Sequence, residues 1–362
     1  MRSTLDELLT ELAELKAFVA SIAKVNSALA DHQDSVVKTY LSIRRRFDYA
    51  AFAVALYASF EKFIEGLIAA FAQLESRRLE YAKLPKGLKK KHLSQTAKML
   101  ERGRIGEGRY AHLAPVNWVK NLFECLNGTM PYTLNDAAIV AHDHNLRVPA
   151  IDELFAAVGM ENVSNYVRQA DDLVKWHRDL KEPSADPQVV PAIIIETRLE
   201  DIVERRNEVA HRGGNPDNLP APEAMSEDID FIENLARSLF GLVIGRYLKS
   251  QHTESENGIA LKLREGPFKN GTVVVIDAPS HRLFVGQPVF VVVEATGARW
   301  GRIQSLKIDD NNFTEVMPSA NAPTGIGIGL DFKWPNNNEQ LFALAVDDEL
   351  VWAPPEEKEH EP

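Results

Sequence analysis

At 362 residues the chain has room for two domains and an extra arm, and its 45% hydrophobic and 26% charged residues are an ordinary globular balance. Cys125 is the single cysteine, which excludes an intrachain disulfide and points to a reducing cytoplasm. A formal net charge of −11 argues against a protein that coats nucleic acid non-specifically.

The opening stretch, MRSTLDELLTELAELKAF, carries acids where a signal peptide would have a basic head. Thr4 and Glu7 have capping-box spacing, and Leu5, Leu8, Leu12, Leu15, Val19 and Ile22 form one apolar stripe behind them. Residues 1–45 are therefore expected to be an amphipathic helical arm, followed by a helical bundle over 46–250. The pattern from Phe47 to about Ala82 is strongly helical, with Phe52, Leu56, Phe60, Phe63, Leu67, Ile68 and Phe71 recurring at threes and fours. Its apolar run Ala50–Phe60 is about half the length that crosses a bilayer, so no membrane association is expected. KLPKGLKKK then breaks the pattern with Pro85 and Gly87. Further helices are predicted over Trp118–Leu126, Ile151–Val158, Val163–Leu180, Pro191–Arg212 and Ser226–Tyr247. A polar linker (251–260) leads to short β-branched runs such as TVVVID, PVFVVVEA, GRIQSLKI and EQLFALA, which predict a β-barrel over 261–352 before a disordered acidic tail, 353–362. The fold class is α+β multidomain: an all-α bundle followed by a small all-β barrel.

Charge is uneven along the chain. Between positions 77 and 104 the basic residues are Arg77, Arg78, Lys83, Lys86, Lys89, Lys90, Lys91, Lys98, Arg102 and Arg104, against Glu80 and Glu101 alone. Such a run is either a solvated face or a landing site for phosphates; in the second case Lys86, Lys89, Lys90 and Lys91 are the expected RNA contacts.

ERRNEVAHRGG (Glu204–Gly214) sits at an expected helix end. Asn207 and His211 are four apart and share a face, while Arg206 is five before His211, about 140° around an ideal helix. Gly213 and Gly214 offer the left-handed cap at which such a helix stops. Spacing alone leaves open an ordinary helix terminus, since a histidine there gains from the helix dipole.

Arg206-Asn207-x-x-Ala210-His211 resembles the signature of the HEPN superfamily, an arginine followed at short distance by a histidine. LYASFEKFIEGLI (Leu56–Ile68), with Glu61 embedded, resembles the family's early acid-bearing helix. AIVAHDHNLRVPAIDELFAAVGM (Ala138–Met160) looks like the middle of a bacterial subgroup related to ribonuclease-type toxins. The resemblance spans roughly residues 40–250. It implies metal-independent, cofactor-free cleavage of RNA by a homodimer, in toxin–antitoxin or anti-phage defence, with an antitoxin or regulatory protein holding the activity in check. In that frame Arg206, Asn207 and His211 are the catalytic set, and Glu61, Arg205 and Arg212 support it. The alternative is a non-catalytic HEPN scaffold that binds RNA or protein.

His142, Asp143 and His144 (AHDHN) are a compact trio, but no second cluster completes a metal's ligands, and a polar loop is the expectation. Asn145 and Arg147 are read as fold residues. GIGIG (Gly325–Gly329) lacks phosphate-loop spacing and reads as a strand. The C-terminal runs resemble the second, barrel domain of translation GTPases such as elongation factor Tu, which implies by analogy a route to tRNA or ribosomes.

Overall fold

The computed structural model describes residues 1–180, 188–211, 219–254, 258–277, 279–293, 296–318, 325–335 and 340–344; for 211 and 251–254 it describes the backbone only. The expected tail, 353–362, lies outside these residues.

Helix α1 (Arg2–Leu29) buries Leu5, Leu8, Leu12, Val19 and Ile22, the stripe expected from the sequence. Thr4 and Glu7 do not form a capping box. The helix begins at Arg2 with Met1 as its N-cap, so both lie inside it, where Glu7 pairs with Lys62 at 2.5 Å. Helix α2 (Ser35–Arg78) begins well ahead of Phe47, because Asp34 caps it by accepting the Val36 N–H at 2.7 Å. It therefore runs through the expected arm–bundle boundary. Phe52, Leu56, Phe60, Phe63, Ile64 and Leu67 are buried along it, each large apolar side chain contributing about 1.5–3 kcal/mol by leaving water.

The KLPKGLKKK break is short. Pro85 is the N-cap of α3 (Lys86–Glu101), which turns most of the basic run into a helix that the sequence reading did not predict. There follow α4 (Pro115–Leu126), α5 (Asp136–Val140) and α6 (Val148–Ala157). The single helix expected over Val163–Leu180 is two, α7 (Val163–Val167) and α8 (Asp171–Asp179). At the break, Arg168 exchanges hydrogen bonds with Val190, whose N–H reaches the Arg168 carbonyl at 2.9 Å, so that carbonyl is taken from the helical ladder. The last helices are α9 (Ala192–His211) and α10 (Pro222–Glu254).

The strands are β1 (Gly258–Phe268), β2 (Val273–Ile276), β3 (Leu283–Phe284), β4 (Pro288–Val293), β5 (Gly297–Ile308), β6 (Asn311–Phe313), β7 (Glu315–Val316), β8 (Ile326–Leu330) and β9 (Gln340–Leu344). Six of them close an antiparallel barrel in the order β4-β9-β1-β2-β8-β5, with β5 returning to β4. Closure leaves no free edge on those six. Inward-facing Leu261, Val274, Val289, Val291, Ile303, Ile328 and Leu341 fill it.

Contacts divide the chain into a unit ending at Phe240 and one from Gly241 onward, so the boundary falls inside α10 rather than at residue 250. The last turns of α10 belong with the barrel: Gly245 lies against the Ala298 backbone, and Trp300 Nε1 donates to the Gly241 carbonyl at 2.9 Å. The segment expected as a linker, 251–260, is helix to Glu254 and strand from Gly258.

Candidate active site and the adjoining basic cavity

Helix α9 is anchored by Ile195, Leu199, Ile202 and Val203, all nearly fully buried. One turn beyond Val203, Arg206 and Asn207 emerge half-buried on the flank. The Arg206 guanidinium stands 5.1 Å over the ring of Tyr57 from α2, a cation–π arrangement. Asn207 Oδ1 accepts from Arg206 Nη1 at 3.2 Å and from Asn145 Nδ2 at 3.1 Å, which fixes the amide and the guanidinium against each other. Among the described residues Arg206 makes no ion pair.

Histidine 211 is the last residue of α9, one helical turn beyond Asn207; its side chain lies outside the described residues, as does all of Arg212. Arg205 donates to Asp228 Oδ2 on α10, and Asp228 is almost fully buried. Burial pushes that carboxyl up to about 6 although Arg205 and Arg198 oppose the shift. Arg205 is thus tied to the bundle interior and not joined to the Arg206–Asn207 pair.

Tyr57 links Arg206 to Glu61. Its hydroxyl donates to Glu61 Oε1 at 3.0 Å and accepts the Leu146 N–H at 3.0 Å. Burial first, and then Glu61, push the phenol up to about 12, so it stays protonated and keeps donating. Glu61 consequently reaches Arg206 through an aromatic ring and not by direct contact.

The loop 141–147 is fastened on three sides. His142 Nε2 lies 3.3 Å from Glu65 Oε1 and 3.8 Å from Glu61 Oε1, while its Nδ1 is 2.6 Å from the His144 carbonyl. Both ring nitrogens therefore face oxygens, and the imidazole pKa is raised, chiefly by the Glu65 carboxylate 3.3 Å from Nε2. Asp143 pairs with Lys98 of α3 at 3.2 Å. Arg147 bonds Glu200 at 2.6 Å and also Glu204, both on α9. Asn145 completes the fastening through Asn207. These contacts account for the polar side chains of AHDHNLR; among the described residues no group of three or more His, Cys, Asp or Glu is placed to hold a metal ion.

Next to this loop is a cavity of about 230 Å³, open to solvent. Its lining includes Glu61, Glu65 and Asn145 together with Lys98, Arg102, Arg104, Arg109 and Tyr110. Arg109 pairs with Glu65 at 3.1 Å, and its guanidinium lies 5.0 Å over Tyr110. Asn145, which bonds Asn207, and Glu61, which accepts from Tyr57, also line this cavity, whereas Arg206 and Asn207 do not.

The lysines singled out from the sequence stand elsewhere. Lys86 and Lys90 are exposed, and Lys89 Nζ donates to the Ala82 carbonyl. Lys91 is half-buried and its ammonium is pulled down to about 8 by burial, against the attraction of Glu153 and Glu65. None of the four lines the cavity; the later part of the same basic run does. The signal that would find Lys98 and Arg102 is their four-residue spacing, which on α3 and its C-cap puts them on one face. Arg109 and Tyr110 gave no signal in the sequence.

A family model described as RiboL-PSP-HEPN matches residues 20–244, well over half of the chain. The match begins within α1, contains Arg206, Asn207 and His211, and ends in α10 close to the unit boundary. No curated protein matches the chain.

Proposed function

The chain belongs to the RiboL-PSP-HEPN family, and on that premise we propose that it is a metal-independent endoribonuclease in which Arg206, Asn207 and His211 carry the cleavage. Membership by itself points to a nuclease or RNA-related role. The observation that carries the finer reading is Arg206. Its guanidinium is held on Tyr57 and on Asn207, whose partner Asn145 lines an open basic cavity, with no carboxylate paired to it among the described residues.

In the proposed reaction the substrate's 2′-hydroxyl attacks the adjacent phosphorus. The leaving 5′ oxygen departs and a cyclic phosphate end remains. His211 takes the 2′-hydroxyl proton or protonates the leaving oxygen, with water handling the other transfer, and its part is worth about 10²–10⁴-fold in rate. Arg206 stabilises the charge that grows on the phosphoryl oxygens, which its planar fork matches. Asn207 holds that fork in place. No metal is needed for charge stabilisation in this scheme, and DNA, lacking the nucleophile, is inert.

The same reading includes a homodimer, a role in toxin–antitoxin or anti-phage defence, and restraint by an antitoxin or regulatory protein, since an uncontrolled ribonuclease harms its host. The barrel would serve to bring the bundle to tRNA or ribosomes.

The test is cleavage of total tRNA and of a single-stranded RNA in EDTA, comparing the wild-type chain with His211→Ala after both are found folded. Loss of cleavage in the variant, with cyclic or 2′/3′-phosphate ends from the wild type, is the expected result. DNA cleavage, or 3′-hydroxyl ends only, would sink the mechanism. RNA binding with no cleavage by either chain would favour a non-catalytic scaffold.

A further inference from the structure

The basic cavity has more positive charge than its own carboxylates need. Of its three carboxylates, Glu65 pairs with Arg109, Asp143 pairs with Lys98, and Glu61 lies 3.8 Å from His142. Arg102 and Arg104 remain. Both line the cavity, both are exposed, and among the described residues neither makes an ion pair, although Asp143 feels Arg102 at longer range.

These two arginines are held by backbone rather than by neighbouring side chains. The Arg102 N–H caps α3 on the Lys98 carbonyl at 3.1 Å, and the Arg104 N–H bonds the Met99 carbonyl at 3.1 Å, across the left-handed Gly103 between them. Their guanidinium groups are therefore presented to the opening without being consumed by the fold. Guanidinium is the side chain best suited to take a phosphate through two parallel hydrogen bonds.

In the same lining, Tyr110 and the Arg109 guanidinium stacked on it form a flat surface of the kind on which nucleobases stack. A phosphate binder and a stacking platform thus share one hollow, which is joined to Asn207 through Asn145.

We propose that this cavity is a nucleotide subsite beside the scissile position: Arg102 and Arg104 hold the phosphate of a neighbouring nucleotide, and Tyr110 with Arg109 holds its base. The ligand rests on the RNA-cleaving reading, but the site itself is a matter of binding and is testable without turnover. RNA is then gripped at two points, the reacting phosphate at Arg206 and a second nucleotide in the cavity. Gripping away from the reacting bond is a means of fixing the geometry of attack.

The probe is a single-stranded 2′-O-methyl RNA, which cannot be cleaved, with binding followed by fluorescence anisotropy over a salt series. Arg102→Ala/Arg104→Ala is compared with Lys24→Ala/Lys120→Ala, which removes two exposed charges elsewhere; all chains are checked by circular dichroism and melting. The first variant is expected to bind at least about tenfold more weakly and to flatten the slope of log affinity against log salt by about 0.7, one phosphate's worth on a single strand. Tyr110→Ala should weaken binding where Tyr110→Phe retains it. In competition, adenosine monophosphate should displace the probe at lower concentration than inorganic phosphate does.

Equal losses in the Arg102/Arg104 and Lys24/Lys120 variants, or an unchanged salt slope, would overturn the proposal. Equal competition by phosphate and nucleotide would overturn the base-holding half. Failure of the ribonuclease reading looks different: the probe binds in the arginine-dependent way described, and ordinary RNA under EDTA remains whole.

Discussion

At the scale of single residues, His142 is the group whose behaviour is most sharply defined by its surroundings. Its pKa is raised above the ordinary 6.5, first by Glu65, so its protonated form is the one the fold prefers. Its contribution to stability is fully present below about pH 6.5 and is lost as the pH rises through the raised folded value. Glu65 runs the other way. Burial alone would push its carboxyl up, but His142 and Arg109 more than offset this, and the net shift is downward from 4.5. Its contribution is present above 4.5 and is lost as the pH falls through the folded value. The pair is therefore worth most between those ordinary values, 4.5 and 6.5. Melting of wild type and His142→Gln followed from about pH 5 to about pH 9 should give a difference that shrinks as the pH rises. A difference that is constant, or grows, would mean that His142 acts by packing and not by charge. None of this was legible in the sequence. AHDHN displayed its side chains as a compact trio, but the acids that define His142, Glu61 and Glu65, lie on a helix far away in sequence.

At the scale of elements, the legible parts were those whose pattern is local. The periodicity of α2 beyond Phe47 and the β-branched runs of β2, β4, β5, β8 and β9 each repeat within a few residues, and each formed where expected. Several elements escaped, α3 and β1 the longest of them. The lysines of α3 obscured an inner face of Leu88, His92, Thr96 and Met99, of which two are polar and are satisfied only by tertiary contacts: His92 Nε2 accepts the Asn135 N–H at 3.0 Å, and Thr96 Oγ1 accepts from Asn135 Nδ2 at 3.2 Å. Strand β1 is broken by register shifts against β2 between Leu263 and Phe268, around Gly266 and Pro267, so alternation fades along its length. The pairing of Arg206 with Asn207 in the candidate site follows from their place on one helix; Tyr57 and Asn145 come from other elements, and no local pattern brings them there. The division inside α10 yields its own prediction. A Cβ at Gly245 would come within 2.3 Å of the Ala298 carbonyl oxygen, which is backbone and cannot swing aside. Gly245→Ala should therefore cost about 1–3 kcal/mol despite its better helix propensity. Gly241→Ala, with open space around the added carbon, is the control in the same helix. Chemical denaturation of the two variants checks this, and equal midpoints would contradict the close approach.

At the scale of the whole molecule, what remains is which surface meets a second copy if the chain forms the expected homodimer. Among the described residues, α2 carries Val36, Tyr40, Ile43, Phe47, Ala50 and Val54, spaced alternately four and three, and all but Ala50 are large apolar side chains left exposed. Val36 is 73% and Phe47 54% exposed. That spacing is the seam with which helices pack in pairs, and it occupies the part of α2 ahead of the buried Phe60–Phe71 stretch. A seam of this kind costs free energy in water unless covered, and a second α2 offers the matching repeat. Sedimentation velocity over a range of concentrations should therefore show a dimer for the wild-type chain and a monomer for Phe47→Glu, a change that leaves the buried face of α2 untouched. A second exposed stripe, Val116, Val119, Phe123 and Leu126 on α4, makes the comparison decisive. If Phe123→Glu separates the copies and Phe47→Glu does not, the seam on α2 is not the dimer contact, and the pairing surface lies instead on the helix next to the turn that carries Arg109 and Tyr110.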